Sequence, residues 1–88
     1  MNATSLSQNY PNPFTGTTQI HATLSGADVV HAQLLIYNML GQIIGDVSNQ
    51  LSPDCEIHFD AGELPAGAYY YRLQTTGGSL TREMFVVK

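Results

Sequence analysis

Tyr10-Pro11-Asn12-Pro13-Phe14 sets two prolines between two aromatic rings, and the rest of the chain is best read outward from it. Each proline fixes its own φ, removes a backbone donor and pushes the residue before it toward extended backbone. The pentapeptide is therefore expected to enter the fold as a stiff, extended ribbon with a large ring at either end. Neither a helix interior nor a central strand accepts such a segment. Pro11 and Pro13 thus mark the start of a β domain, and nothing in the ribbon carries chemistry.

Downstream, Thr17 to Leu24 sets Ile20, Ala22 and Leu24 against Gln19, His21 and Thr23, the period of two of a half-buried strand. Gly26-Ala27-Asp28 breaks it, and Ala32 to Tyr37 gives a second strand, apolar on both faces as a central strand would be. Asn38-Met39-Leu40-Gly41 has the chemistry of a type I turn closed by a left-handed glycine. Gln42 to Val47 returns as the next strand. Cys55, Ile57 and Phe59 then alternate cleanly with Glu56, His58 and Asp60. Leu64-Pro65-Ala66-Gly67 repeats the turn logic, Ala68 to Thr75 follows, and Gly77-Gly78 suits a tight hairpin. The last strand, Leu80 to Lys88, ends in Met84-Phe85-Val86-Val87.

Short strands with turn signals at this spacing predict an all-β fold, an immunoglobulin-like antiparallel β-sandwich of about seven strands. A small closed barrel is the alternative. Residues 1–8 read as a linker and residues 9–88 as the domain. Leu64, Gly67 and Tyr69 resemble a tyrosine corner, in which a hydroxyl ties a sheet-crossing connection to the backbone; a plain strand tyrosine is the other reading. Gly41, Gly67 and Tyr69 join the two prolines as fold-defining positions.

The chain has 88 residues, enough for one domain, with 43% apolar and 11% charged residues. That charge fraction is low, and the apolar content excludes a disordered acidic tail. The net charge is −4, and Arg72, Arg82 and Lys88 are the only basic residues. Three cations cannot track a phosphate backbone, so nucleic acid is excluded as a partner. No apolar run is long enough to span a membrane. Met1 to Gln8 has neither the basic start nor the apolar stretch of a signal peptide.

Convergent chemistry is equally hard to find, and the chain reads as a module without catalytic residues, cofactor or metal. His21 and His58 fall at outward positions of different strands and His31 near a loop end, without ligand spacing. Cys55 shares the buried parity of Ile57 and Phe59, where cysteine acts as an apolar filler. Glu56, Asp60 and Glu63 lack the rhythm of a calcium loop. Tyr37 and Tyr70 could form an exposed aromatic platform for sugar rings, set against ordinary cross-strand packing. On that platform rests the alternative function, an accessory module of a secreted enzyme that binds carbohydrate or spaces domains.

Taken in order, the proline ribbon, the alternating Thr17–Leu24 segment, Leu35-Ile36-Tyr37-Asn38-Met39-Leu40-Gly41-Gln42, Leu64-Pro65-Ala66-Gly67-Ala68-Tyr69 and the ending Met84-Phe85-Val86-Val87-Lys88 resemble the type A C-terminal sorting domain of the type IX secretion system of Bacteroidetes. The resemblance covers residues 9–88. It implies a non-catalytic signal at the C-terminus of a larger passenger, which reaches the periplasm by its own signal peptide. An outer-membrane shuttle and translocon would then export it, and a sortase would cut near the linker and attach the passenger at the cell surface, or release it. Met1 is followed almost at once by the domain, so the chain reads as a piece of such a precursor. Edge strands can add to another sheet. Leu80–Lys88 is accordingly expected to carry the export signal on an open edge, with Met84 and Val86 packing inward and Phe85, Val87 and Lys88 presented; an ordinary last strand that buries both faces is the other reading for Phe85 and Val87.

Overall fold

Strict alternation builds the first sheet. The computed structural model describes residues 4–87, without side-chain detail at residues 26–27. Thr17–Thr23 (β2) buries Thr18, Ile20 and Ala22, and Asp54–Asp60 (β5) buries Cys55, Ile57 and Phe59. Their antiparallel register sets Ile20 against Ile57 and Ala22 against Cys55, so the apolar residues share one face. Ser5–Leu6 (β1) completes this sheet on the other side of β2.

The second sheet runs β4-β3-β6-β7, from Ile43–Asp46 (β4), Gln33–Asn38 (β3), Gly67–Thr75 (β6) and Gly78–Val86 (β7). A β-bulge interrupts the β3–β4 pairing between Ile36 and Tyr37. The inward faces of the two sheets meet in one core, where Ile20, Leu24, Leu34, Ile36, Ile57, Tyr71, Leu73 and Met84 are fully buried. Each such side chain contributes roughly 1.5–3 kcal/mol by leaving water. The three-strand and four-strand antiparallel sheets, with the β2–β3, β4–β5 and β5–β6 connections crossing between them, make the immunoglobulin-like sandwich that the spacing of turns predicts.

The proline segment differs from expectation. Residues 11–13 are bends, both prolyl bonds are cis, and the rings part company: Phe14 is buried while Tyr10 is 80% exposed. Tyr10 bridges to Gln19 in the first sheet and Phe14 to Val86 in the second. The segment is thus a crossing between sheets instead of an extended ribbon. Buried Asn9 holds the bend, donating from Nδ2 to the Pro11 carbonyl at 3.2 Å and to Thr18 Oγ1 at 3.0 Å. Thr18 Oγ1 in turn donates to the same carbonyl at 2.8 Å.

Three boundaries shift for local reasons. Residues 5–8, read as linker, lie within the fold: Leu6 is buried and paired, though a two-residue strand in a polar stretch shows no alternation. The turn after β5 closes at Ala61–Leu64, three residues ahead of the Leu64–Gly67 expected. Asp60 Oδ1 accepts from Gly62 N–H at 2.8 Å, and Gly62 takes φ +56°. In the final hairpin Thr75 pairs with Gly78, leaving Thr76-Gly77 as the loop. Thr75 Oγ1 fixes that register by accepting from Gly77 N–H and donating to the Gly78 carbonyl, each at 3.2 Å. Between β2 and β3 the chain makes a single helical turn, Gly26–Val29 (α1), capped by Ser25.

Candidate functional site

The last strand has β6 on one side only, so the backbone groups of every second residue face away from the sheet. Phe85 shows which residues these are. Its N–H donates to Asn12 Oδ1 at 3.0 Å, and its carbonyl accepts from Phe14 N–H at 3.0 Å. Val87 N–H donates to the Phe14 carbonyl at 2.9 Å, and the Glu83 carbonyl accepts from Gln8 Nε2 at 2.6 Å. Arg82 Nε reaches the Leu6 carbonyl at 3.1 Å. From Arg82 to Val87 the edge is therefore closed by the chain's own N-terminal segment. This corrects the expectation of an open edge along the whole of Leu80–Lys88. The proline bend supplies the reason, because it delivers Asn12 and Phe14 to the second sheet.

Side chains alternate there as the sequence predicts. Met84 and Val86 are buried, whereas Phe85 is 42% and Val87 41% exposed; Lys88 lies outside the described residues. Two aliphatic anchors thus fix two apolar side chains in solvent, on a backbone that cannot slip because both of its edges are bonded. An apolar pair held this way can bind a partner but has no group to move a proton or attack a bond. Nearby, Met39 and Leu40 are also exposed, on the turn that leaves β3 at Asn38, which pairs with Tyr69.

The remaining candidates lie apart from this end. Tyr37 and Tyr70 face each other across β3 and β6 and stack at 4.9 Å between ring centroids, 11° from parallel. Arg72 lies 5.4 Å and 5.9 Å from the two ring centres, and Tyr37 is buried. Each ring covers a face of the other, which is cross-strand packing. His21 lies on the polar outer face of the first sheet, with Nε2 2.9 Å from Asp54 Oδ1 and Nδ1 3.4 Å from Glu56 Oε1. Both His31 and His58 are exposed, and the buried Cys55 thiol points at the Ala22 carbonyl at 3.6 Å.

Tyr69 Oη donates to the Pro65 carbonyl at 2.6 Å, a tyrosine corner at the crossing from β5 to β6. Gly41 sits at φ +85° beyond a turn in which its N–H reaches the Asn38 carbonyl, while Asn38 Oδ1 takes the N–H of Leu40 and Gln42. Gly67 opens β6 at φ +151°. Sequence reasoning missed Gln8, Asn9 and Asn12, whose amides close the edge and hold the bend. Polar residues next to prolines read as loop, and only their long-range partners give them a role.

A family model described as "Secretion system C-terminal sorting domain" matches residues 8–88. No curated protein and no solved structure matches the chain.

Proposed function

The chain belongs to the secretion system C-terminal sorting domain family, a sorting signal for export, and from that premise we propose that it carries a larger passenger, joined to its N-terminus, through the type IX translocon of the outer membrane. The protein bearing it ends at the cell surface or outside the cell. The finer route is ours. The domain folds in the periplasm, is handed over by an outer-membrane shuttle, and is removed by a sortase that attaches the passenger at the surface. Because Ser5–Leu6 is paired and Leu6 buried, a cut that leaves the fold intact falls ahead of Ser5.

The domain works by being recognised. Met84 and Val86 act as anchors, and Phe85, Val87 and Lys88 are what the export machinery reads. The observation that carries this is the exposure of Phe85 and Val87 between buried neighbours at an edge whose backbone is already satisfied. Recognition at this end therefore depends on side chains. Residues 1–88 fused to a periplasmic reporter should send it out of a host with this export route, and not out of a translocon-deficient control. Deleting Phe85–Lys88 should abolish that export. Normal export of the truncated fusion overturns the assignment of the signal.

A further inference from the structure

The opposite half of β7 is built differently. Since Glu83 and Phe85 turn their backbone groups away from β6, the two-residue period makes Ser79 and Thr81 do the same. Among the described residues, no hydrogen-bond partner meets the N–H or carbonyl of either. The β5 and β4 edges of the sandwich are guarded. Gln50 covers β5 at His58, donating to its carbonyl at 3.0 Å and accepting from its N–H at 2.8 Å. Asp54, Glu56 and Asp60 charge the same edge, and β4 is four residues long beside a bulge. Gly78 to Thr81 has no charge, proline or bulge, the devices by which edges avoid added strands.

A second feature coincides with the open backbone. Leu80 has the inward parity of Met84 and Val86 and pairs with buried Leu73, yet it is 40% exposed, because β1 is only two residues long and does not cover it. The space left is an open cleft of about 230 Å³ lined by Thr4, Asp28, Leu73, Thr75 and Leu80 among others. Among the described residues, Asp28 is the only charged one lining it. Its carboxylate accepts from Thr4 Oγ1 at 3.0 Å and Thr76 Oγ1 at 3.2 Å.

We propose that this edge is a docking site for an extended segment of another polypeptide, which adds as a strand to Ser79–Thr81, places an apolar side chain over Leu80 and sets a cationic side chain near Asp28. The unpaired N–H and carbonyl groups demand extended backbone, the uncovered leucine demands an apolar residue, and the lone carboxylate selects the flanking charge. Strand addition gives affinity through the main chain, and the cleft gives selectivity through alternate side chains. The site is separate from Phe85–Lys88, so loss of one reading leaves the other standing.

The test uses isotope-labelled chain 1–88 and a short synthetic peptide of alternating valine and threonine ending in lysine. The peptide should slow amide exchange at Ser79 and Thr81. Methylating its edge-facing backbone nitrogens should weaken binding about tenfold or more, whereas methylating the opposite set should not. Thr81→Pro should cause a similar loss while keeping the β6–β7 ladder, since that N–H faces outward. Protection at other amides, equal binding of the two methylated peptides, or no binding overturns the proposal. So does slow exchange at Ser79 and Thr81 without peptide, which marks the edge as filled by a second copy in a dimer or by the chain's own N-terminal segment in a monomer.

Discussion

From Gly78 to Thr81 the last strand has β6 on one side and, among the described residues, no backbone partner on the other, while from Arg82 to Val87 the same edge is bonded to residues 6–14. The inward apolar side chains follow the same division: Leu80 is 40% exposed, but Met84 and Val86 are buried. One strand therefore offers main chain at its start and side chains at its end. What separates the halves is where the N-terminal segment changes sheets. Its main chain stays with β2 through Tyr10 and bridges to β7 only at Phe14, while Leu6, Gln8 and Asn12 reach β7 through single side-chain hydrogen bonds, the first of them at Arg82. An edge strand is thus not uniformly sticky, and its chemistry is set residue by residue by what lies beside it.

The largest expected contrast compares two inward residues of that strand. Met84→Ala removes a fully buried side chain and should cost about 2–5 kcal/mol. Leu80→Ala, on the same face but poorly covered, should cost less than about 1.5 kcal/mol. Denaturant midpoints of the two variants check this. Equal losses would mean that the open half is covered in solution. Next comes the bend that makes the difference. Thr18→Val takes a buried hydroxyl from the Pro11 carbonyl and from Asn9 Nδ2, at a cost of roughly 1–3 kcal/mol. Amide exchange should then quicken at Phe85 and Val87, which the segment protects, and not at Ser79 or Thr81.

Tyr71 probes the boundary between the halves. It pairs with Arg82, the first residue the N-terminal segment reaches, and its hydroxyl donates to the Ser7 carbonyl at 2.7 Å. Burial pushes its pKa up to about 12 from the ordinary 10.0. The folded state therefore holds the proton after the unfolded chain has lost it. Its stabilisation is complete below pH 10.0 and falls away as the pH rises toward about 12. Tyr71→Phe should cost about 0.5–1.5 kcal/mol near neutrality and flatten the alkaline loss of stability. An unchanged slope in chemical denaturation across that range would assign the loss to another group.

Much of this was legible in the sequence because it follows from period two. The inward residues of β2 and β5, and the parity of Met84 to Val87, need only alternation along one strand. Gly41 and Tyr69 were readable because their partners lie four residues away or fewer. What could not be read is long-range. Nothing in Gln8 or Asn12 announces a bond to a strand more than 70 residues on, at Glu83 and Phe85, and the proline pair does not say which sheet each flanking ring joins. Local polarity also outweighed the expected turns: Asp60 with Gly62, and Thr75 with Gly77, set registers that the Pro65 and Gly77-Gly78 signals misplace.

The smallest expected effect on stability is the one that bears most on export. Phe85→Ser changes an exposed side chain while leaving its backbone bonds to Asn12 and Phe14 in place, and should cost less than about 1 kcal/mol. If the closed half of β7 is read through side chains, that near-neutral change should still sharply reduce export of a reporter fusion. Thr81→Pro, also mild, should leave export through Phe85–Lys88 intact while removing the peptide edge. Secretion assays set beside thermal melts separate the cases. Loss of export in Phe85→Ser at unchanged melting temperature supports recognition of the side chain. Export that instead tracks stability across Met84→Ala, Thr18→Val and Phe85→Ser would mean that the machinery senses only the folded sandwich.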